Sequence, residues 1–395
     1  MALLHGDRAG AALARGQLDA LVAALPENWR YLTDCPAAIA RTLRLPTLAV
    51  LAGSPARVVA LVAPRVLAGE IASMLFADLV VALYGEFHVS HAAVSVLDEL
   101  EDGAVRLLEA GGSAPRTVVE ALASVIAGLG LQRARLGLDD QSLARRLAEA
   151  LPEVEWVPAA ETFQWIRLVK TEEEIDRMGA VAAIAEDLES LALAAARPGC
   201  DWAEVVRQMP AEAARRGATF EFWSGGAGSH GGFLFPAVDQ RLQPGDLIRL
   251  DLTVTSRGYA SDTGRSASIG EPGQLATRRY AAIRSAVEAA IGEVRPGRTF
   301  AQVYAAAMKA ANREMPELRR HHCGHSIGVL PYDGPLVAPG HDVVLEPGMT
   351  LNIEVPYYEL GWGGLQLEET VLVTERGHSL LTHLPRDLAV LPDAA

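Results

Sequence analysis

Residues 247–269 read LIRLDLTVTSRGYASDTGRSASI, a pattern typical of two β-strands joined by a tight turn. If the turn is centred between Ser256 and Arg257, Asp251 and Asp262 stand directly opposite each other on one face. Directly paired side chains have Cβ atoms roughly 5 Å apart. Two carboxylates held so close repel each other unless a proton or a cation lies between them. This hairpin therefore predicts a carboxylate site that binds a cation.

A second pair of acids follows the same pattern near the end of the chain. Residues 350–375 read TLNIEVPYYELGWGGLQLEETVLVTE, two apolar strands around a glycine-rich loop. Glu354 and Glu368 are symmetric about Gly361, so an in-register hairpin places both carboxylates on one face. Because an isolated carboxylate in so apolar a strand is costly, these acids also need partners.

The two hairpins belong to an internal repeat. Two Arg-Pro-Gly segments, at an offset of 98 residues, each follow a long helical stretch and open a new helix. Residues 242–254 then match residues 345–357 at an offset of 103, which superposes Asp251 on Glu354. Two helix–helix–strand units are therefore predicted, and each delivers a carboxylate at the equivalent strand position.

Charge balance indicates a two-metal centre. Four facing carboxylates contribute −4, which two divalent cations would cancel. His325 is a candidate fifth ligand in the segment HHCGHSIGV, where Gly324 and Gly328 allow close backbone approach. Oxygen ligands with one imidazole favour Mn²⁺, with Co²⁺, Fe²⁺ or Zn²⁺ as alternatives.

The composition excludes several classes of protein. A net charge of −14 argues against a nucleic-acid partner, which needs Lys and Arg gathered on one face. No apolar run approaches about 18 residues, and the first residues lack a signal-peptide core, so we expect no membrane association. The three cysteines are odd in number and widely spread, which does not resemble a disulfide framework and favours the cytoplasm.

At 395 residues the chain is long enough for two domains. Residues 1–165 alternate short apolar runs with amphipathic helical stretches, which predicts a small α/β domain. Thr171 is a candidate N-cap of a long helix, with three glutamates in its first turn, where the helix dipole favours negative charge. The boundary is therefore placed before this helix, and residues 166–395 form the predicted second domain.

These motifs together resemble the pita-bread metallopeptidase family that contains aminopeptidase P, prolidase, methionine aminopeptidase and creatinase. The resemblance rests on DLTVTSRGYASDTGRS with its two acids, GHSIG around His325, NIEVP around Glu354, and QLEETVLVTE around Glu368. The segments LDALVAALPENWRYLTDC and RLVKTEEEIDRM are similar to the opening and the junction of a creatinase-type N-terminal domain. The resemblance implies an α/β (α+β) fold, with a creatinase-like domain over residues 1–165 and a pita-bread catalytic domain over residues 166–395.

The same resemblance implies roles for the five residues. Asp251 would chelate one ion, Asp262 and Glu368 would bridge both, and His325 and Glu354 would hold the other. The ions would activate a water molecule and polarise the scissile carbonyl. Glu354 would carry the proton to the leaving nitrogen. Related proteins also imply a homodimer.

The substrate pocket departs from the pattern of the proline-cleaving members. Phe235 and Tyr332 stand where those relatives carry histidines, Asp333 follows Tyr332 in place of a glutamate, and Gln366 replaces a common arginine. Tyr332 could still donate a hydrogen bond to a tetrahedral intermediate, whereas Phe235 makes its wall apolar. His230, in a glycine-rich loop, either reaches into the pocket or is a solvated loop residue.

Three functions are compatible with these residues. The first is an Xaa-Pro aminopeptidase- or dipeptidase-like metallohydrolase that cleaves an amide bond in a small peptide. The second is a non-peptidase amidohydrolase of the same fold, creatinase- or ectoine-hydrolase-like, acting on a small amide, amidine or cyclic metabolite. The third is a metal-free binding scaffold, which the retention of all five ligands disfavours.

Overall fold

Contacts divide the chain into two compact units, Met1–Arg167 and Leu168–Ala395. The structure is a computed structural model, and it describes residues 3–74, 79–90, 96–109, 115–234 and 240–394. Phe235, one of the predicted substrate residues, lies outside the described residues.

The first unit alternates strands and helices, as the sequence predicts. Its helices are α1 (Gly6–Gly16), α2 (Pro26–Thr33), α3 (Ala38–Leu43), α4 (Ala68–Ala72), α5 (Glu99–Glu109), α6 (Val118–Gly128), α7 (Gln141–Ala150) and α8 (Ala160–Arg167). Its strands are β1 (Ala20–Ala23), β2 (Leu48–Gly53), β3 (Ala56–Pro64), β4 (Val80–Tyr84), β5 (Arg135–Leu138) and β6 (Glu155–Pro158). A 3₁₀ turn spans Arg65–Leu67.

These six strands form one mixed sheet in the order β4-β3-β2-β1-β5-β6. The pairs β1–β2 and β2–β3 are antiparallel, whereas β3–β4, β1–β5 and β5–β6 are parallel. The central strand β1 is fully buried, and helices α6 and α7 pack their apolar side chains on the sheet. A sheet with parallel pairs needs such covering helices.

The second unit begins with the predicted long helix. Its helices are α9 (Glu172–Ala195), α10 (Trp202–Arg215), α11 (Gln274–Glu293) and α12 (Phe300–Glu314), and a 3₁₀ helix spans Gly228–Gly232. Its strands are β7 (Thr219–Ala227), β8 (Leu247–Ser256), β9 (Tyr259–Ile269), β10 (Gly324–Ser326), β11 (Thr350–Glu354), β12 (Tyr357–Glu359), β13 (Gly363–Leu365), β14 (Glu368–Val373), β15 (His378–Leu380) and β16 (Ala389–Leu391).

The predicted N-cap of α9 is confirmed. The hydroxyl of Thr171 accepts the backbone N–H of Glu174, and the Glu174 side chain accepts the backbone N–H of Thr171. This capping box satisfies two N–H groups that a helix start otherwise leaves without partners.

Most strands of the second unit form one eight-stranded sheet with a central order of β10-β11-β14-β9-β8-β7. Helix pairs α9–α10 and α11–α12 each precede strands of this sheet, so the predicted helix–helix–strand repeat is present. The repeat brings hairpin β8–β9 beside strands β11 and β14 at the centre of the sheet. Among the described residues, none of the helices is both long and apolar enough to cross a bilayer.

Candidate metal centre

The first acid-bearing hairpin has a different register from the predicted one. Its turn consists of Arg257 and Gly258, which both have positive φ (49° and 85°), as a two-residue type I′ turn requires. Asp251 therefore pairs with Gly264, two residues beyond Asp262. The prediction that the two aspartates stand directly opposite is wrong, because the turn lies one residue later in the chain. The partner of Asp251 has shifted by two residues. Because side chains alternate between the faces of a strand with a period of two, both carboxylates still lie on one face, in diagonal positions.

The second hairpin has the predicted register, since Glu354 pairs directly with Glu368. Glu368 also pairs with Gly264 of β9, so the two hairpins join edge to edge. A Cβ at Gly264 would lie 2.2 Å from Gln366 Cγ and 3.0 Å from Glu368 Oε2. Glycine at this position thus leaves room for Glu368, and one row across four strands holds Glu354, Glu368, Gly264 and Asp251.

His325 completes a compact group with two of the acids. Ligand atoms of Asp262, His325 and Glu368 all lie within 4.8 Å of one another, and all three residues are buried. His325 Nε2 is 3.7 Å from Asp262 Oδ2, and within the described part of the chain it is buried without a hydrogen-bond partner. Its Nδ1 lies 3.3 Å from the carbonyl oxygen of Ser326, which requires the proton on Nδ1 and leaves a lone pair on Nε2.

The pKa values of these buried acids are raised, which indicates that nearby positive charge is too small to stabilise all of their charged forms. Burial raises the pKa of Asp262 well above its usual range, and the charges of Asp251 and Glu354 add to the shift. Burial likewise raises the pKa of Glu368, with repulsion from the other three acids. The pKa of Asp251 rises to about 7, mainly through burial, although Arg249 opposes the shift. Without a cation these carboxylates must therefore take up protons.

Two amide side chains hold the glutamates in place. Asn352 Nδ2 donates to Glu368 Oε1. Gln366 Nε2 donates to Glu354 Oε2 at 3.3 Å and to Glu368 Oε2 at 3.2 Å. The amide nitrogen of Gln366 is therefore engaged by the acids, and the predicted contact of Gln366 with substrate stays a prediction. On the other hairpin, Thr253 Oγ1 donates to Asp262 Oδ1 at 2.9 Å.

Arg249 is a site residue whose role the sequence reasoning missed. It is fully buried, and its Nη1 lies 3.4 Å from Asp251 Oδ2. Its remaining nitrogens donate to the carbonyl oxygens of Gly231 (2.9 Å) and Phe233 (2.6 Å) and to Ser224 Oγ (3.0 Å). Arg249 thus contacts both the glycine-rich loop and Asp251, and it holds the two together. Its position two residues before Asp251 already placed it on the same face.

His322 also lies beside the acids. Its Nδ1 is 3.6 Å from Glu354 Oε1, and the ring is 5% exposed. Burial lowers the pKa of His322 to about 4, although Glu354 opposes the shift, so the ring is neutral at pH 7. Cys323 is buried in the hydrophobic core, and its pKa is raised by that burial.

Tyr332 lies against His325, and its contact with substrate stays a prediction. Its ring stacks on His325 with centroids 3.7 Å apart and planes 18° apart, and it is still 53% exposed. The pKa of Tyr332 is raised by burial of the hydroxyl and by the charges of all four acids. Its hydroxyl therefore stays protonated beside the carboxylates, available as a hydrogen-bond donor to a bound molecule.

Asp333 and His230 are the other two predicted substrate residues that the structure describes. Asp333 is 1% exposed, and its carboxylate accepts the backbone N–H of Val329 at 3.1 Å, which closes the loop that follows His325. His230 is half-buried and packs against Phe233 with ring centroids 5.8 Å apart. The substrate contacts of both residues stay predictions.

Comparisons with known proteins identify the family of both units. Residues 176–375 match the model of metallopeptidase family M24, and residues 7–169 match that of the creatinase/prolidase N-terminal domain. The probable dipeptidase PepE of Mycobacterium tuberculosis is 33% identical over 250 residues, which are 62% of this chain and 66% of that protein. The Xaa-Pro dipeptidase of Lactobacillus delbrueckii subsp. lactis is 31% identical over 236 residues, 58% of this chain and 63% of that protein.

A solved structure extends the likeness to nearly the whole chain. The crystal structure of dipeptidase PepE from Mycobacterium ulcerans superposes with a TM-score of 0.75 at 28% identity. The superposition covers 98% of this chain and 97% of the other. The likeness therefore includes both units as well as the acid-bearing sheet.

Proposed function

The chain belongs to metallopeptidase family M24, and from that membership we propose that it uses two divalent ions to cleave one amide bond of a dipeptide or other short peptide. The fold class predicted from the sequence and the assignment as a metal-dependent peptidase are confirmed. The observation that carries the finer proposal is the buried, unpartnered Nε2 of His325 beside Asp262 and Glu368.

The donor set fits divalent ions. Its oxygens come from four carboxylates, its one nitrogen is a neutral imidazole, and carboxylate pKa values raised by burial indicate a need for cations. We propose that the ions are held by five residues, namely Asp251, Asp262, His325, Glu354 and Glu368. Mn²⁺ as the ion, a homodimer and a cytoplasmic location stay predictions.

The surrounding side chains have separate tasks in the proposed reaction. The bound ions would acidify a water molecule and polarise the scissile carbonyl. Glu354 would accept the proton of the attacking water and deliver it to the leaving nitrogen. Tyr332, held over His325, would donate a hydrogen bond to the oxygen that becomes negatively charged. Arg249 would keep Asp251 oriented, as outer partners of metal ligands do.

The substrate class follows from the relatives only in part. One relative is named a probable dipeptidase and another an Xaa-Pro dipeptidase. We propose dipeptidase activity, with proline in the second position as one accepted residue. The non-peptidase amidohydrolase is the second candidate, because Tyr332 and Gln366 stand where proline-cleaving relatives carry other residues.

A metal analysis combined with a substrate screen tests the proposal. Protein purified without chelator should contain close to two divalent ions per chain, and a chelator should remove both the ions and the activity. With added Mn²⁺, Ala-Pro and Ala-Leu should be hydrolysed, whereas non-peptide amides should not. Turnover of the non-peptide amides alone would favour the second candidate, and an absence of bound ions would contradict both.

A further inference from the structure

The junction segment RLVKTEEEIDRM contains a buried cation that the proposed reaction does not use. The chain has two lysines, and Lys309 is exposed whereas Lys170, in this segment, is only 4% exposed. An ammonium group is costly to bury unless carboxylates or carbonyl oxygens surround it. The groups around Lys170 therefore indicate what its charge stabilises.

Asp333 lies beside the Lys170 ammonium within the second unit. A Cβ on Gly328 would lie 2.7 Å from Asp333 Oδ2 and 3.2 Å from Lys170 Nζ, so the two charged atoms are close to the same point. Asp333 is 1% exposed, and the ammonium also donates to the carbonyl oxygen of Leu168 at 3.4 Å. Opposite charges attract each other more strongly in the interior than at the surface, so these two buried charges neutralise each other.

Glu174 is a second acid near Lys170, but other groups already share its carboxylate. Its Oε2 accepts the backbone N–H of Thr171 at 2.8 Å, and its Oε1 accepts the hydroxyl of Tyr259 at 3.0 Å. Burial raises the pKa of Glu174 to about 7, although the charge of Lys170 opposes the shift. Glu174 is therefore only partly charged at pH 7, and Asp333 is the carboxylate that completes the neutralisation of the ammonium.

The loop of residues 327–335 folds around Asp333. The Oδ2 atom of Asp333 accepts the backbone N–H of Val329 at 3.1 Å, and its own backbone N–H donates to the carbonyl oxygen of Ser326 at 2.9 Å. The same carboxylate lies beside Lys170, so the loop backbone and the ammonium share it. Loss of either charge would therefore loosen the loop.

Tyr332 depends on this loop for its position. Its ring stacks on His325 with centroids 3.7 Å apart, yet 53% of the residue is exposed, so few side chains hold it from outside. The next residue, Asp333, is buried and anchors the backbone at this point. Such anchoring matters because misplacement of a catalytic group by 1 Å can cost about 10²-fold in rate.

Resting on the function proposed above, we propose that Lys170 and Asp333 are positioning residues, whose paired charges fix the 327–335 loop and so hold the Tyr332 hydroxyl in place for the reaction. Neither residue contacts the reacting atoms in this proposal. The junction segment would thus serve the metal centre through the loop, in addition to beginning helix α9.

The first experiment compares Asp333→Asn and Lys170→Met with the exposed controls Asp342→Asn and Lys309→Met. Turnover of Ala-Leu with added Mn²⁺ is measured. For the first two variants we expect kcat to fall about 10–100-fold with little change in KM, because a displaced donor is lost from the transition state more than from substrate binding. The controls should change by less than about twofold. Wild-type kcat in Asp333→Asn and Lys170→Met would overturn the inference.

A double-mutant cycle with Tyr332→Phe separates positioning from a general structural role. If the paired charges act through the Tyr332 hydroxyl, the double variant with Asp333→Asn should be at most about twofold slower than Tyr332→Phe alone. Independent effects would instead multiply, and that result would overturn the inference.

Hydrogen exchange measured by mass spectrometry keeps the inference separate from the proposed function. The backbone amides of residues 327–335 should exchange faster in Asp333→Asn and at the wild-type rate in Asp342→Asn. Gly328→Ala keeps both charges, but its added Cβ must displace them, so the same segment should exchange faster. Unchanged exchange in Asp333→Asn and Gly328→Ala would overturn the inference. If the wild type cleaves no peptide, the proposed function fails, and the exchange rates still decide whether the paired charges fix the loop.

Discussion

The two faces of the eight-stranded sheet bury similar numbers of acids but neutralise them differently. Neighbouring residues of β14 show the contrast, because Glu368 belongs to the metal-centre face and Glu369 to the face covered by α9. Glu369 Oε1 lies 3.1 Å from Arg265 Nη2 and 2.8 Å from Arg386 Nε. Glu368 has amide partners but no ion pair among the described residues.

The helix-covered face balances its charge with resident groups. It buries three acids, Glu186, Glu189 and Glu369, against the two guanidiniums of Arg265 and Arg386. The third acid is balanced by a proton, since burial raises the pKa of Glu189 to about 8. The metal-centre face has four acids and one fully buried arginine, Arg249. Its balance requires either protons or cations from solution, and we propose that cations supply it.

Removal of one ligand should have the largest effect. Asp262→Asn deletes a charge and a ligand oxygen next to His325 Nε2, so we expect loss of bound ions together with an activity decrease beyond the ~10–100-fold typical of outer partners of ligands. Metal content by elemental analysis and turnover of Ala-Leu are the measurements. The exposed Asp176→Asn is the matched control and should change neither. A variant that kept both ions would contradict the role of Asp262.

Replacement of a buried arginine on the helix-covered face should lower the stability of the protein. Arg265→Met leaves Glu369 and its neighbours without their main partner, which costs about 3–5 kcal/mol for a broken buried pair. Denaturant unfolding measures the loss, and added Mn²⁺ should not reverse it. Arg284→Met removes the exposed pairs with Glu288 and Asp387 and should cost at most about 1 kcal/mol. Equal effects of the two variants would contradict the proposal that Arg265 neutralises the buried acids of the helix-covered face.

The sequence predicted the metal-centre face better than the other one. Period-two alternation placed the acids on one face, and that conclusion survived the wrong turn position because the error moved the partner of Asp251 by two residues. The register of the first hairpin depended on the φ angles of Arg257 and Gly258, which local sequence does not fix. The pairing of Arg265 could not be predicted, because its partners Glu369 and Glu186 lie 104 and 79 residues away along the chain. Ion pairs between residues so far apart in the sequence can be identified only from the folded structure.

Removal of the ions should affect the metal-centre face in a pH-dependent way. In metal-free protein the pKa of Asp251 is raised to about 7, so the folded state holds a proton that the unfolded state releases near pH 4. Stability should therefore be highest at low pH and fall as the pH rises through this window. At pH 8, Mn²⁺ at 100 times its Kd should restore about 2.7 kcal/mol. Thermal unfolding with and without chelator tests this, and a metal-free protein most stable at pH 8 would contradict it.

Glu189→Gln should give the smallest effect and also tests the balance on the helix-covered face. Glu189 is fully buried, Thr263 Oγ1 donates to its Oε2 at 3.3 Å, and burial raises its pKa to about 8, so near pH 5 the side chain is neutral and glutamine imitates it. The folded-state pKa is raised, so wild-type stability from this group is lost as the pH rises from about 4.5 to 8. The variant should match the wild type near pH 5 and exceed its free energy of unfolding by about 1 kcal/mol or more at pH 8, since one pKa unit is worth ~1.4 kcal/mol. Denaturant unfolding at the two pH values measures the difference. If the variant is less stable at pH 8, Glu189 is charged in the fold and Arg265 neutralises it, so the proton is not part of the balance.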